Sequence, residues 1–244
     1  MDRHLRRAAA GVSFQSWKPG GPQRHPHRLS VALVGATAIT TMRTAGGHGV
    51  VQAKYLANPD PEVLTVIGCG AQAKAGMRGF LTQFPTLKQL RLFNRSRGPM
   101  EQVQKELVDR VEVTICNSPA EAVTGSTLIL MASGAQTTLV TADMICPGTT
   151  IIGIEGFRDL DPRIGKQADK WYLGYRKPDA HILKSPRLNP EHFLQDEDVF
   201  GDMTEFDGTH GLSAYNKTDQ EKFEGSDSTF ISPKYVQTIE SKPV

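Results

Sequence analysis

At 244 residues the chain is long enough to bury a sizeable core, as one large domain or two modest ones. Its 28 basic and 26 acidic residues leave a net charge of +2, too small a surplus to point to nucleic acid or a membrane surface. No apolar run approaches the ~18 residues a transmembrane helix needs, and the three scattered cysteines, Cys69, Cys116 and Cys146, lack metal-ligand spacing and suit a reducing compartment. A cytoplasmic protein with no membrane partner is expected.

Residues 1–28 are rich in Arg, His, Pro and Gly and contain a single acid, Asp2. An Arg-rich, acid-poor start fits a transit peptide, but the Pro/Gly cluster at 19–26 would interrupt an amphipathic helix. A disordered or atypical leader, or a mis-assigned one, is the expectation, with order beginning near Leu29. A helix then starts around Ala36, with Thr37 as a candidate N-cap. Its apolar positions Ile39, Met42, Val50, Val51 and Leu56 recur at helical spacing, although Gly46, Gly47 and Gly49 weaken its middle. Arg43 lies on this helix, either as a solvated surface residue or as an anchor gripping a substrate carboxylate bidentately. Asn58-Pro59-Asp60-Pro61 ends the segment.

From residue 64 a β–α rhythm begins. The apolar, β-branched run Leu64-Thr65-Val66-Ile67 leads into Gly68-Cys69-Gly70-Ala71-Gln72-Ala73, a G-x-G-x-x-A turn between strand and helix. Gly68 permits the tight turn, Gly70 lets the backbone approach a pyrophosphate, and Ala73 lets the helix pack close. The free amides of the helix start then face the anion. Helix 71–84, strand 90–93, helix 99–110 with Pro99 in its first turn, and strand 111–116 follow. A short helix capped by Ser118, a very apolar strand 127–131, a short helix near 141–145, strand 149–154, and elements at 161–168 and 170–173 complete the series. The expectation is an α/β fold: a doubly wound parallel Rossmann sheet, accompanied by a smaller domain.

An NAD-selecting site places an acid about 20 residues past the glycines. Here the second strand ends Phe93-Asn94-Arg95-Ser96, without an acid. Asn94 and Ser96 can hydrogen-bond a 2′-phosphate and Arg95 can supply charge and stack on the adenine, with Arg97 in support. Read blandly, this is a polar turn; read sharply, it favours NADP over NAD.

Beyond Gly174 the rhythm stops. The patch Asp196-Glu197-Asp198 lacks a calcium-loop pattern and reads as a solvated face or helix end. His48, His181, His192 and His210 form no zinc constellation, and no nucleophile elbow occurs. The chemistry the sequence supports is that of a bound cofactor.

Three segments together resemble the ornithine cyclodeaminase/mu-crystallin family. Thr37-Ala38-Ile39-Thr40-Thr41-Met42-Arg43-Thr44-Ala45 is similar to its T-x-I-T-x-x-R-T-A helix. Val66–Ala73 matches its I-G-x-G-x-Q-A turn, and Glu121-Ala122-Val123 with Met131-Ala132-Ser133 resembles its E-A-V…A-T element. Arg158-Asp159-Leu160-Asp161 echoes its R-E-L-D. The resemblance implies a Rossmann domain at 59–174, set in a substrate and dimerisation domain built from the helix of 29–58 and from 175–244, with 1–28 as leader. It implies a homodimer acting on a small amino- or imino-acid. Arg43 becomes the substrate-carboxylate residue; Gly68, Gly70, Ala71, Gln72, Ala73, Asn94, Arg95, Ser96, Ala132 and Ser133 become cofactor-binding. Residues 1–28 do not resemble the family's N-terminal segment, which bears a catalytic lysine and a second substrate arginine, so the resemblance implies a shortened N-terminus and leaves the catalytic residue unassigned. Cyclodeaminases carry an aspartate shortly after the strand at 149–154; here the stretch is Glu155-Gly156-Phe157, which counts against ornithine cyclisation. The implied activity is NADPH-dependent reduction of an imine or ketimine, or an opine-like dehydrogenase reaction. The alternatives are an ornithine cyclodeaminase with bound NAD, and an NADP-binding remnant without turnover.

Overall fold

The computed structural model describes residues 37–154, 157–173, 181–184, 186, 189, 192–199, 201–202 and 235–238. The leader and the onset of order near Leu29 lie outside them, as does the Glu155-Gly156 pair.

The first helical segment is α1 (Thr37–Arg43), which runs through a π-helical turn (Thr44–Gly49) into α2 (Val50–Leu56). Thr37 is already helical, its carbonyl accepting from Thr41 Oγ1 at 2.9 Å, so it does not serve as the cap. The glycines expected to weaken this helix have a packing role. Helix α3 (Ala71–Gln83) crosses here so closely that a Cβ on Gly79 would lie 2.8 Å from the Gly46 carbonyl oxygen and 2.7 Å from Val50 Cγ2. A Cβ on Gly46 would meet Ala75 O at 3.2 Å. Small residues bring the two backbones together, and the wider π turn occupies the point of approach.

Strands β1 (Val63–Ile67), β2 (Gln89–Phe93), β3 (Glu112–Ile115), β4 (Leu128–Met131) and β5 (Thr150–Gly153) form a parallel sheet in the order β3-β2-β1-β4-β5. Connections run through α3, α4 (Arg97–Leu107) and α5 (Pro119–Val123). Ser118 caps α5 by accepting from Glu121 N at 3.1 Å, as its position before Pro119 suggests. All four residues of β4 are buried, which requires cover on both faces. The side chains show what supplies it. Leu130 reaches toward Gly76 of α3, where a Cβ would stand 2.5 Å from Leu130 Cδ2. Leu130 is paired in register with Val66, so the neighbouring Thr65 points to the other face. There Thr65 Oγ1 donates to Ala122 O of α5 at 2.7 Å. Helices α3 and α5 therefore cover opposite faces, the doubly wound arrangement.

After β5 the chain forms α6 (Pro162–Gln167) and β6 (Lys170–Leu173), then α7 (His181–Lys184), β7 (Gly201–Asp202) and β8 (Tyr235–Thr238). Strand β8 is antiparallel to both β5 and β6 and lies between them, giving the full order β3-β2-β1-β4-β5-β8-β6-β7. Nothing in the sequence pattern after Gly174 announces it. Residues 201–202 and 235–238 thus extend the sheet begun at Val63. Asp198 pairs with Lys166 at 2.8 Å, while Asp196 and Glu197 face solvent in a short 3-10 turn. Among the described residues, no cluster of acids, histidines or cysteines could hold a metal, and no helix is long and apolar enough to cross a membrane.

Candidate functional site

The carboxyl ends of β1, β2 and β4 open onto a cleft of about 890 Å³. This is the crevice of an open α/β sheet, where the strand order reverses on either side of β1. Gly68 sits at its floor with φ +106°, a conformation that favours glycine. A Cβ there would stand 2.4 Å from Ala132 O and 3.0 Å from Ser133 N, so a side chain is excluded both by conformation and by the β4 backbone. The turn is fixed from both flanks, because Gly68 N donates to Phe93 O at 2.8 Å and Ala132 N donates to Ile67 O at 2.9 Å.

Gly70 behaves differently. Its φ of −77° suits any residue, and, beyond its own chain neighbours, a Cβ on it would meet no atom of a described residue within 4 Å. It is the N-cap of α3, with no side chain bonded to the helix's first amides and no acid in the first turn. Those amides and the positive end of the helix dipole therefore face the cleft unneutralised. Ala73 is fully buried beneath this turn, and Ala71 is exposed beside it.

Among the described residues no carboxylate lines the cleft, whereas Arg95 and Arg97 both do. Arg97 is paired with Glu101 through Nε at 2.9 Å; Arg95 is exposed and makes no hydrogen bond or ion pair with a described residue. Asn94 Nδ2 donates to Ser96 O at 2.8 Å and shapes the loop that presents Arg95. Ser96 caps α4 in position only, without a side-chain bond. Cys69 and Cys116 also line the cleft. Burial pushes the Cys69 thiol up to about 11 against the opposing pull of Lys74, and burial with the Glu121 charge raises Cys116. Both stay protonated at neutral pH and supply no nucleophile.

On the β4 side, Ser133 Oγ donates to Asp159 Oδ2 at 2.6 Å. Asp159 is 3% exposed and ends a 3-10 turn that follows β5. Its carbonyl accepts from Leu139 N and Val140 N at 2.9 and 3.1 Å, and Arg158 Nη1 donates to Gln136 Oε1 at 2.7 Å. The loop after β4 is thus latched to the segment after β5. Sequence reasoning did not single out Asp159 as a site residue; its place just beyond the fifth strand, on the carboxyl edge of the sheet, was the available signal.

Arg43 and Gln72 stand apart from the cleft walls. The Gln72 side chain turns to the first helical segment, accepting from Ala45 N at 3.2 Å and donating to Thr40 O at 3.5 Å. It ties the end of α1 to the start of α3. Arg43, exposed in the last turn of α1 and without a bonded partner among the described residues, is thereby held close to the helix that begins at the glycine turn.

The sequence profile of the ornithine cyclodeaminase/mu-crystallin family matches residues 28–182. The chain belongs to that family. Ketimine reductase mu-crystallin of Rattus norvegicus is 30% identical over 142 residues, covering 57% of this chain and 44% of the relative. The ornithine cyclodeaminase of Agrobacterium tumefaciens (strain Ach5) is 29% identical over 171 residues, covering 63% of this chain and 45% of the relative. The chain therefore spans less than half the length of these two family members. Among solved structures, Thermococcus litoralis Δ1-pyrroline-2-carboxylate reductase, in complex with NADH and L-proline, superposes with a TM-score of 0.59 at 22% identity. That match covers 70% of this chain and 54% of the reductase, and it establishes a shared fold.

Proposed function

We propose that this family member binds NADPH in the cleft and reduces the C=N bond of an imino or ketimino acid. The observation that carries the reading is a cleft whose described lining holds two arginines at the end of β2 and no acid, with an open, glycine-capped helix start beside them. The residues present fit the cofactor. Among the described residues nothing occupies the space over Gly70 that a Cβ would fill, which leaves room for a pyrophosphate against the α3 amides. Asn94 and Arg95 sit where a dinucleotide-binding fold meets the 2′ position of the adenosine ribose, and a guanidinium there complements a phosphate better than a hydroxyl. When bound, reduced nicotinamide supplies a hydride. The chain's own part is positional. Gly68 sets the turn, the α3 amides hold the pyrophosphate, and Ala132 and Ser133 wall the nicotinamide side. Arg43 grips the substrate carboxylate near the start of α3, with the substrate a small amino- or imino-acid and the working unit a cytoplasmic homodimer. The curated relatives include a ketimine reductase, which supports this choice of reaction.

The test is cofactor preference with Arg95→Asp. Loss of a charge-assisted contact worth about 1.5–3 kcal/mol weakens NADPH binding roughly ten- to a hundredfold. NADH binding changes far less. Equal effects on both cofactors overturn the assignment to NADPH. Product analysis with a cyclic ketimine plus NADPH, and separately with ornithine, then tests the reaction. Proline formed from ornithine without net cofactor turnover would identify a cyclodeaminase instead, and NADPH binding with no turnover of any imine would identify a binding protein.

A further inference from the structure

The Ser133–Asp159 pair joins two loops that the sheet order brings side by side, one after β4 and one after β5. Ser133 lines the cleft, while Asp159 lies behind it, 3% exposed. As a carboxylate Asp159 is an acceptor only, so the Ser133 hydroxyl proton is committed to it. Ser133 Oγ then has lone pairs left. One receives a long contact from Ala135 N at 3.4 Å, and the rest of the oxygen is presented as an acceptor made more basic by the carboxylate behind it.

The position along the cleft follows from the topology. In this fold the group at the end of β2 meets the adenosine ribose and the β1 turn meets the pyrophosphate. The remaining half of a dinucleotide must extend over β4, the strand that Ser133 follows. We propose that Asp159 is a positioning residue, which fixes Ser133 as an acceptor for a hydrogen-bond donor on the nicotinamide–ribose half of the cofactor. This rests on the dinucleotide reading of the cleft. It assigns a role to a residue that touches no ligand itself, and it gives a reason for a buried carboxylate at the edge of the cleft.

The experiment compares two probes on the full chain. NADPH spans the whole cleft; adenosine 2′,5′-bisphosphate occupies only the half over β1 and β2. Ser133→Ala and Asp159→Asn each weaken NADPH binding about tenfold, the worth of one hydrogen bond to a charged or polarised partner. Each leaves adenosine 2′,5′-bisphosphate within about twofold of the parent. Ser133→Thr, which keeps the hydroxyl, retains NADPH affinity. The double variant binds no more weakly than the weaker single one, because the two residues act through one contact. The proposal is overturned if Asp159→Asn leaves NADPH affinity unchanged while Ser133→Ala lowers it. It is equally overturned if Asp159→Asn weakens both probes alike, which would mark a residue that merely supports the cleft, or if the two losses add. Should Asp159→Asn unfold, the Ser133 variants at the half-buried end of the pair still decide the matter: equal NADPH affinity for Ser133→Ala and Ser133→Thr refutes it. A parent chain that binds neither probe would overturn the dinucleotide reading and the proposal together, a result distinct from selective failure on the nicotinamide side.

Discussion

The two glycines of the turn should separate folding from binding when each is replaced by alanine. Gly68 has φ +106°, and the new Cβ would lie 2.4 Å from Ala132 O and 2.7 Å from its carbonyl carbon. The left-handed backbone costs an L-residue about 1–2 kcal/mol. Forcing a methyl against backbone adds about 1–3 kcal/mol. Gly68→Ala should therefore lose roughly 2–5 kcal/mol, a large part of a total stability of about 5–15 kcal/mol. At about 2–4 °C per kcal/mol for a chain of this size, Tm falls by at least several degrees. Gly70 has φ −77° and an unobstructed Cβ position. Gly70→Ala gains about 0.4–1 kcal/mol from a stiffer unfolded chain and gives back about 0.5 kcal/mol as a poorer N-cap. Its Tm should stay within a degree or two of the parent. NADPH affinity, read by nucleotide fluorescence, should nevertheless drop at least tenfold, because the methyl stands where a phosphate must approach. Calorimetry and titration on the two variants check both halves. A Gly70→Ala protein destabilised like Gly68→Ala, or a Gly68→Ala protein as stable as the parent, refutes the reasoning.

Three further predictions concern the scaffold. Helix propensity alone says that Gly79→Ala stabilises α3 by about 1 kcal/mol. The 2.8 Å approach of its Cβ to the Gly46 carbonyl reverses the sign, whereas Gly98→Ala, with nothing within 4 Å, gains a few tenths of a kcal/mol or more; urea midpoints measure both. Gln52 is fully buried in α2 and neither amide atom is hydrogen-bonded to a described residue, so Gln52→Met should stabilise by about 1–3 kcal/mol, and a loss in chemical denaturation would show that the amide is bonded in solution. At pH 8, iodoacetamide should label exposed Cys146 well before Cys69, as followed by mass spectrometry. Because burial raises the Cys69 pKa from 9.0 to about 11, the folded chain holds a proton that the unfolded chain releases across that window. Stability should accordingly fall as pH rises from 9 to 11, and Cys69→Ala should flatten that decline.

What the sequence made legible was local. The apolar run at 64–67, Ser118 before Pro119, and Pro99 in a first turn each fix an element through its own neighbours, so the alternation from Val63 to Leu173 is readable residue by residue. Gly68, Gly70, Asn94, Arg95, Ala132 and Ser133 line one cleft because strand ends in such a sheet converge on one edge. The features that escaped depend on distant partners. Gly46 reads as a helix breaker until Gly79 is seen against it. The tether of the Gln72 side chain to Ala45 and Thr40 reaches a helical segment about thirty residues away, which its place in the glycine turn does not announce. Asp159 gains its meaning from Ser133, a residue on the neighbouring loop. Tyr235-Val236-Gln237-Thr238 is too short and mixed to be recognised as a strand without the two edges it fills.

The placement of β8 also sets a timetable for folding. Strands β1 to β5 pair in parallel through helical crossovers, and each after β1 finds a partner earlier in the chain. The partners of β8 were made more than eighty residues earlier at β5 and more than sixty earlier at β6. Until it arrives, the outer edge of β5 is an open row of amides and carbonyls, and β6 and β7 have no sheet to join. Placing β8 between β5 and β6 is a non-local event, of the kind that loop-closure entropy makes slow. An uncovered β5 edge is one that a second chain can also fill, so removing β8 should favour swapping and aggregation at that edge.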